Sequence, residues 1–363
     1  MNEVGMRVTP GGPAPWFEAA SLENPRYNFS SLGGRFVLLA FLPQDEAPRA
    51  EAVRLLAALG AFYRPERLVA FAVSREAPNP ARRLEGGELR WFFDPPGDIA
   101  RRYGLLDEAG AHRPCWVLID PSMRVFAIGD LSAREALGQL IQRLPAPDDH
   151  AGVELHAPVL IVPRILERPL CERLIAHYES SGGEPSGIMQ DIGGRTVGVL
   201  NDFKRRRDAI IDDEAFRAEI RSRLALRLLP EIKKAFQFAA TRIERYIVAC
   251  YDAQEGGYFK AHRDNTTFGT AHRKFACTIN LNAEDYDGGD LRFPEFGQRS
   301  YRAPTGGAVV FSCSLLHEAT PVTRGRRYAF LPFLYDEAGA RVREANLSRL
   351  GEPAEPPNEP AEA

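Results

Sequence analysis

Between Phe36 and Leu42 the chain runs through an unbroken apolar stretch, FVLLAFL, and then turns polar at 44–46. A run this short with no polar position predicts a strand buried on both faces. Downstream, Val53, Leu55, Leu56, Leu59 and Phe62 recur at helical spacing, and LVAFAV at 68–73 reads as a second buried strand, which completes a βαβ unit. After a Pro-rich connection come RWFFD, a short helix from Ile99 to Tyr103, the strands PCWVLID and RVFAIG, and a closing helix from Ala133 to Leu144. The order is βαβ, then a hairpin, then a helix.

The stretch LPAPDDHAGVELHAP at 144–158 is rich in Pro, Asp and Gly and marks a linker. Beyond it lie a strand, VLIV, a helix at 169–180, a Gly-rich loop and a long helical stretch from Glu214 to Phe238. Between Ile243 and Tyr335 the pattern changes to short strands with turn signals: IERYIVACY, YFKAHRD, FACTINLN, DLRFPEFG, YRAP, GAVVFSCS and RYAFLPFLY. Many short strands at this spacing predict a double-stranded β-helix, or jelly roll, with the preceding helices packed outside it. The ending GEPAEPPNEPAEA is nearly free of large apolar groups and reads as a disordered tail. The fold class expected is therefore multidomain, α/β plus mainly β. Its parts are a first domain at 1–148, a linker at 149–157, a second domain at 158–345 and a tail at 346–363. A length of 363 residues suits two cores.

Composition narrows the function classes. With 44% hydrophobic and 26% charged residues and a net charge of −3, the chain is ordinary and globular. The brief basic stretch KRRRD at 204–208 is followed at once by acidic residues, so a solvated or locally paired segment is expected and no nucleic-acid partner. No run reaches the ~18 apolar residues of a membrane span, and the N-terminus lacks signal-peptide character, so a cytoplasmic protein with no membrane partner is the expectation. Cysteines 115, 171, 250, 277 and 313 are scattered and form no CxxC pair, which predicts reduced, buried thiols.

Candidate chemistry concentrates late in the chain. His262 and Asp264 stand two residues apart, so on a strand both side chains leave the same face. His317 follows AVVFSCSLL, where a late strand of a jelly roll returns beside an early one. Two imidazoles and a carboxylate on one face of an octahedron are the ligand set of non-haem iron(II) oxygenases, with three positions left open. Among seven histidines an HxD alone is weak evidence. Its surroundings are specific: YDAQEGGYFKAHRDN at 251–265, GGDLRFP at 288–294 and LLHEATPVTRGRRYAF at 315–330.

These strings resemble the prolyl 4-hydroxylase-like branch of the 2-oxoglutarate and iron(II)-dependent dioxygenases, over about residues 157–340. The resemblance implies an enzyme that uses Fe(II), 2-oxoglutarate and O2, with ascorbate as an accessory reductant, and releases succinate and CO2. It makes His262, Asp264 and His317 the catalytic metal ligands and Arg327 the partner of the distal 2-oxoglutarate carboxylate. A guanidinium fork suits a carboxylate enclosed in a barrel. Arg327, Ala329 and Leu331 share one strand face, whereas Arg324 and Arg326 are expected to be solvated. Tyr251 matches the family tyrosine that hydrogen-bonds the cosubstrate. Tyr258 and Asn280 are inward-facing candidates for the same pocket, with a core aromatic and a satisfied strand amide as the alternative. His272 is expected on a surface loop. The substrate is left open between a prolyl or other peptidyl residue and a small molecule, with the peptidyl class favoured by analogy. A non-catalytic iron or 2-oxoglutarate sensor is the rival reading.

The first domain, over about residues 8–145, resembles the peroxiredoxin (AhpC/TSA) branch of the thioredoxin fold, through APWFEAASLENPRYNFSSLGGRFVLLAFLP and DPPGDIARRYGLLDEAGAHRPCWVLIDPSMRVFAIG. Peroxiredoxins place their nucleophilic Cys just after the first core strand, where this chain has PQDEAPRAEA with neither Thr nor Cys. Pro114 matches the fold's usual cis-proline, which makes Cys115 a strand residue. A redox-inactive module is expected, serving partner or substrate binding or dimerisation.

Overall fold

The apolar run at 36–42 forms the strand Phe36–Phe41 at the middle of a five-stranded sheet. Its order is Arg90–Phe93, Leu68–Ser74, Phe36–Phe41, Cys115–Ile119, Val125–Asp130, with the first three strands parallel and the last two antiparallel additions. Val37, Leu39 and Phe41 pack on one side with Phe29, Phe92 and Tyr103, while Phe36, Leu38 and Ala40 pack on the other with Leu56, Trp91 and Leu137. Both faces are covered, which is why the strand tolerates no polar residue. This is a thioredoxin-like α/β sandwich. No peptide bond among the described residues is cis, so the bond before Pro114 is trans, contrary to expectation, while Cys115 begins a strand as anticipated.

The computed structural model describes residues 8–84, 87–106 and 113–351. The chain divides into two compact units, Met1–Ala157 with Pro294–Gln298, and Pro158–Phe293 with Arg299–Ala363. No helix among the described residues is long and apolar enough to cross a membrane.

The second unit is built on two sheets. The larger runs Arg242–Glu244, Phe333–Tyr335, Phe275–Asn280, Arg326–Phe330, Ile247–Asp252, Arg207–Ile210, Glu184–Pro185, with Ala308–Ser312 joined to Phe275–Asn280 and Leu160–Val162 beyond it. The smaller runs Lys204–Arg205, Tyr258–His262, His317–Ala319, Leu291–Arg292, Ser300–Tyr301. Period-two alternation sorts the larger sheet's side chains. Val248, Cys250, Tyr328 and Phe330 meet Leu174, Ile220, Leu224 and Ile232 of the helices, and Ile247, Ala249, Tyr251, Ala329 and Leu331 turn the other way, onto Ala319 of the smaller sheet. Two sheets closing on such an inner layer are the expected jelly roll.

Four local features differ from the sequence expectations. The helical stretch 214–238 is two helices, Glu214–Arg227 and Leu229–Phe236, because Pro230 cannot continue the hydrogen-bond ladder and opens the second one instead. The Gly-rich loop contains a hairpin, Ile188–Ile192 with Arg195–Val199, whose turn is Gly193-Gly194, both at positive φ, the requirement of a type I′ turn. A helix, Glu337–Ala345, follows the last strand. Residues 346–351, assigned above to the tail, are structured: Leu347–Arg349 is a 3-10 turn, Leu350 bridges to Thr196, and the Arg349 guanidinium lies 4.1 Å from the Phe268 ring. The rest of the expected tail, 352–363, lies outside the described residues.

Candidate metal and cosubstrate site

The smaller sheet sets His262 directly opposite His317 in the antiparallel pair Tyr258–His262 and His317–Ala319. Asp264 lies just past the strand end, where its N–H donates to the Cys313 carbonyl at 3.0 Å. One ligand atom from each of His262, Asp264 and His317 lies within 4.8 Å of the others. His262 Nε2 is 3.5 Å from Asp264 Oδ1, and His317 Nε2 is 3.3 Å from Asp264 Oδ2. Each ring's Nδ1 lies against a backbone carbonyl, Lys260 at 2.7 Å and Leu315 at 3.0 Å. A carbonyl only accepts, so Nδ1 carries the hydrogen and the Nε2 lone pairs point to a common centre. Burial pushes the His317 imidazole down to about 4, which keeps its lone pair available at neutral pH. Phe259 stacks on His262 with centroids 3.5 Å apart and fixes the ring plane. This donor set suits Fe(II).

Arg327 sits opposite Tyr251 in the larger sheet, its Cζ 4.9 Å from the Tyr251 ring centroid. It is 2% exposed, and its Nε and Nη1 have no hydrogen-bond partner. It forms no ion pair with a carboxylate among the described residues. A buried guanidinium in that condition is costly, and an incoming carboxylate relieves it with charge-assisted bonds. The GGDL motif makes room for it. Gly289 has φ of +67°, and a Cβ there would sit 3.0 Å from Arg327 Cδ. Arg324 pairs with Asp287 at 2.6 Å and Arg326 with Asp252 at 2.7 Å, and both are exposed. Asn280 shares a cavity with Arg327, Thr278, Tyr286 and Leu291. Its Nδ2 donates to the Ala303 carbonyl at 2.7 Å, while its Oδ1 is buried without a partner. Tyr251 is 3% exposed and its hydroxyl lies 3.4 Å from Arg206 Nη1.

Two expectations fail. Tyr258 does not face the pocket: its hydroxyl donates to the Asp202 carbonyl at 2.6 Å, and the two cations over its ring, Arg205 and Lys260, are exposed. A register shift between Phe259 and His262 puts Phe259, not Tyr258, on the side of His262. His272 is not at the surface. It is 1% exposed, with Nε2 2.7 Å from Glu244 Oε2, and Arg273 holds the other Glu244 oxygen at 2.6 Å. Of the two readings expected for the basic stretch, solvated or locally paired, the second holds: Lys204 and Arg206 are buried and Arg206 pairs with Asp208 at 2.6 Å. Lys204, Arg206 and Asp208 alternate at period two between outward residues, a strand signal that composition alone obscures. All five cysteines are buried, as expected, and none is placed in a disulfide.

Comparison with known proteins matches residues 246–335 to the 2OG-Fe(II) oxygenase superfamily and residues 10–128 to the AhpC/TSA family. A PKHD-type hydroxylase of Shewanella sp. (strain ANA-3) is 30% identical over 164 residues, 44% of this chain and 70% of the relative. A PKHD-type hydroxylase of Synechococcus sp. (strain JA-2-3B'a(2-13)) is 36% identical over 102 residues, 26% of this chain, and the match spans 45% of that relative's length. The structure of a viral collagen prolyl hydroxylase from Paramecium Bursaria Chlorella virus-1, in its 2OG complex, is 16% identical, with a TM-score of 0.37 and coverage of 48% of this chain and 94% of that one. Through its second unit, the chain belongs to the 2OG-Fe(II) oxygenase superfamily.

Proposed function

We propose that the chain is an Fe(II)- and 2-oxoglutarate-dependent dioxygenase that hydroxylates a peptidyl substrate, with a small molecule as the alternative substrate class. The observation behind this is the convergence of His262, Asp264 and His317, three ligand atoms within 4.8 Å with both Nε2 lone pairs free. These residues would hold Fe(II), and Arg327 would hold the distal carboxylate of 2-oxoglutarate, with Asn280 and Tyr251 beside it. When bound, iron supplies dioxygen activation, and the overall change converts substrate C–H, O2 and 2-oxoglutarate to C–OH, succinate and CO2, with ascorbate keeping the metal reduced. The chain's own contribution is orientation and a dry site. The Nδ1 bonds lock both rings, Phe259 covers His262, and Phe311, 4.5 Å from His317, covers the other side. The five reduced thiols agree with a cytoplasmic setting.

The test is incubation of the purified chain with iron(II), 2-oxoglutarate and a peptide library, followed by mass spectrometry for a gain of one oxygen and by succinate measurement. His262→Ala, Asp264→Ala and His317→Ala should each abolish both signals. Near-normal succinate from any of them would remove that residue from the ligand set, and no turnover by the wild type would favour a sensor.

A further inference from the structure

Apart from the metal triad and Arg327, the inner side of the second unit holds a connected group of charges that the proposed reaction leaves unused. Lys204, Arg206 and Arg273 are 8%, 7% and 7% exposed, and Arg245 is half-buried. Their electrostatic neighbours are one another and three carboxylates, Asp208, Glu244 and Asp264. Asp208 is committed to Arg206 at 2.6 Å and Glu244 to Arg273 at 2.6 Å. Asp264 belongs to the triad. Lys204 and Arg245 make no ion pair of their own, and their hydrogen-bond partners are neutral. Lys204 Nζ donates to Ser186 Oγ at 2.6 Å and to the Gly187 carbonyl at 2.7 Å. Arg245 Nη2 donates to the Leu331 carbonyl at 3.3 Å, its Nε has no partner, and its Cζ lies 4.2 Å from the Phe333 ring.

Loading the centre does not cancel this excess. Iron(II), dianionic 2-oxoglutarate, Asp264 and Arg327 sum to zero among themselves. Burial drives the Lys204 ammonium well down, yet with Lys204 uncharged Arg245 still has no carboxylate of its own, since the nearby Asp208 and Glu244 are paired with Arg206 and Arg273. Its own backbone is at φ of +66°, a conformation a long side chain seldom adopts, so the fold spends stability to hold the cation there. The group also adjoins the chemistry, because Lys204 Nζ is 5.0 Å from the Phe259 ring, which stacks on His262. A cation held with its Nε buried and unpartnered is costly, and an arriving anion relieves that cost.

We propose that Lys204 and Arg245, with Arg206 behind them, receive an oxyanion of the substrate, so that the enzyme oxidises a compound or peptide bearing a carboxylate or phosphate close to the reacting carbon. This rests on the dioxygenase reading and names the substrate class for that same site.

The test uses the full chain loaded with Mn(II) in place of iron and saturated with 2-oxoglutarate, after removal of free metal. The probes are inorganic phosphate, N-acetylaspartate amide and its neutral isostere N-acetylasparagine amide, and the readout is nuclear relaxation of each probe by the bound Mn(II). At least one anion should relax about tenfold more than the neutral amide, the difference expected of one charge-assisted contact. Which anion it is distinguishes a phosphate from a carboxylate source. Arg245→Gln and Lys204→Met should each remove most of that enhancement, while Arg324→Gln, at the exposed pair with Asp287, should keep it. Anions relaxed no more than the neutral amide, or an enhancement undiminished in both variants, would overturn the proposal. If Arg245→Gln does not fold, Lys204→Met carries the test alone. A wild type that retains neither Mn(II) nor 2-oxoglutarate would bring down the dioxygenase reading, and this inference with it.

Discussion

Arg327 carries two N–H-bearing nitrogens, Nε and Nη1, that are buried with no hydrogen-bond partner, and the two arginines just before it in the motif, Arg324 and Arg326, are already paired at the surface. Charge-assisted hydrogen bonds are worth about 1.5–3 kcal/mol each, so Arg327→Ala should raise the 2-oxoglutarate concentration needed for half-maximal succinate formation by tens-fold or more. Arg327→Lys keeps the charge without the fork and should fall between, while Arg324→Ala and Arg326→Ala should stay near wild type. A large defect in Arg324→Ala with none in Arg327→Ala would mean that a different arginine holds the cosubstrate. Which arginine faces inward was legible because strand parity from 327 to 331 is unbroken. Tyr258 was not, since one irregularity between Phe259 and His262 reverses the parity and leaves no mark in composition. His272 was missed for another reason: its partner Glu244 is 28 residues away in sequence, so nothing local announces that the ring is buried.

The elements around the site are tied together by a buried ion cluster and by glycines that no other residue replaces. Glu244, on the strand Arg242–Glu244, takes hydrogen bonds from His272 and Arg273 in the turn before Phe275–Asn280. Burial alone would raise its carboxyl, but those bonds outweigh burial and hold it well below the usual carboxylate range. A depressed carboxyl contributes stability that is whole above its unfolded value of about 4.3 and is lost as pH falls below it towards the folded value. Glu244→Gln should therefore cost about 3–5 kcal/mol at pH 7, the scale for breaking a buried pair, and its deficit against wild type should shrink only below about pH 4.3. Urea unfolding at pH 7 and at about pH 3, below the unfolded value, measures this, and a pH-independent deficit would show that packing rather than charge is at stake. Gly288 gives a second check. It shares a positive φ with Gly193, but a Cβ at 288 would overlap the Pro321 carbonyl oxygen, whereas one at 193 meets nothing. Thermal melting should show Gly288→Ala far more destabilised than Gly193→Ala, and equal losses would mean that backbone strain alone decides. The strands were readable from period-two runs, and the helix break was also present in the sequence as Pro230, outweighed in the reading by the apolar periodicity around it. The hairpin at 188–199 carries mixed polar and apolar residues on both faces, so only its Gly-Gly turn could have signalled it.

For the whole molecule, the sequence made both folds legible because each carries a long, self-consistent pattern, but it separates fold from chemistry in opposite ways in the two units. The second keeps the motif residues with the architecture. The first keeps the architecture without the thiol. After Phe36–Phe41 the chain passes through Pro43, Gln44 and Asp45 into the helix Glu46–Ala58, and no side chain there can form a thiolate. The cysteines that exist are poor substitutes. Cys115 is 2% exposed within the sheet core, and burial pushes the Cys171 and Cys250 thiols up to about 11 and those of Cys277 and Cys313 further still. Since the thiolate is the nucleophile towards peroxide, none is poised to react at neutral pH. The full chain, treated with chelator so that no iron contributes, should therefore leave hydrogen peroxide and dithiothreitol at the rate of buffer alone, and Cys115→Ser should change nothing. Peroxide consumption that depends on the thiol donor and vanishes in Cys115→Ser would show that this strand cysteine becomes exposed and reactive, and would return the first unit to the peroxidases.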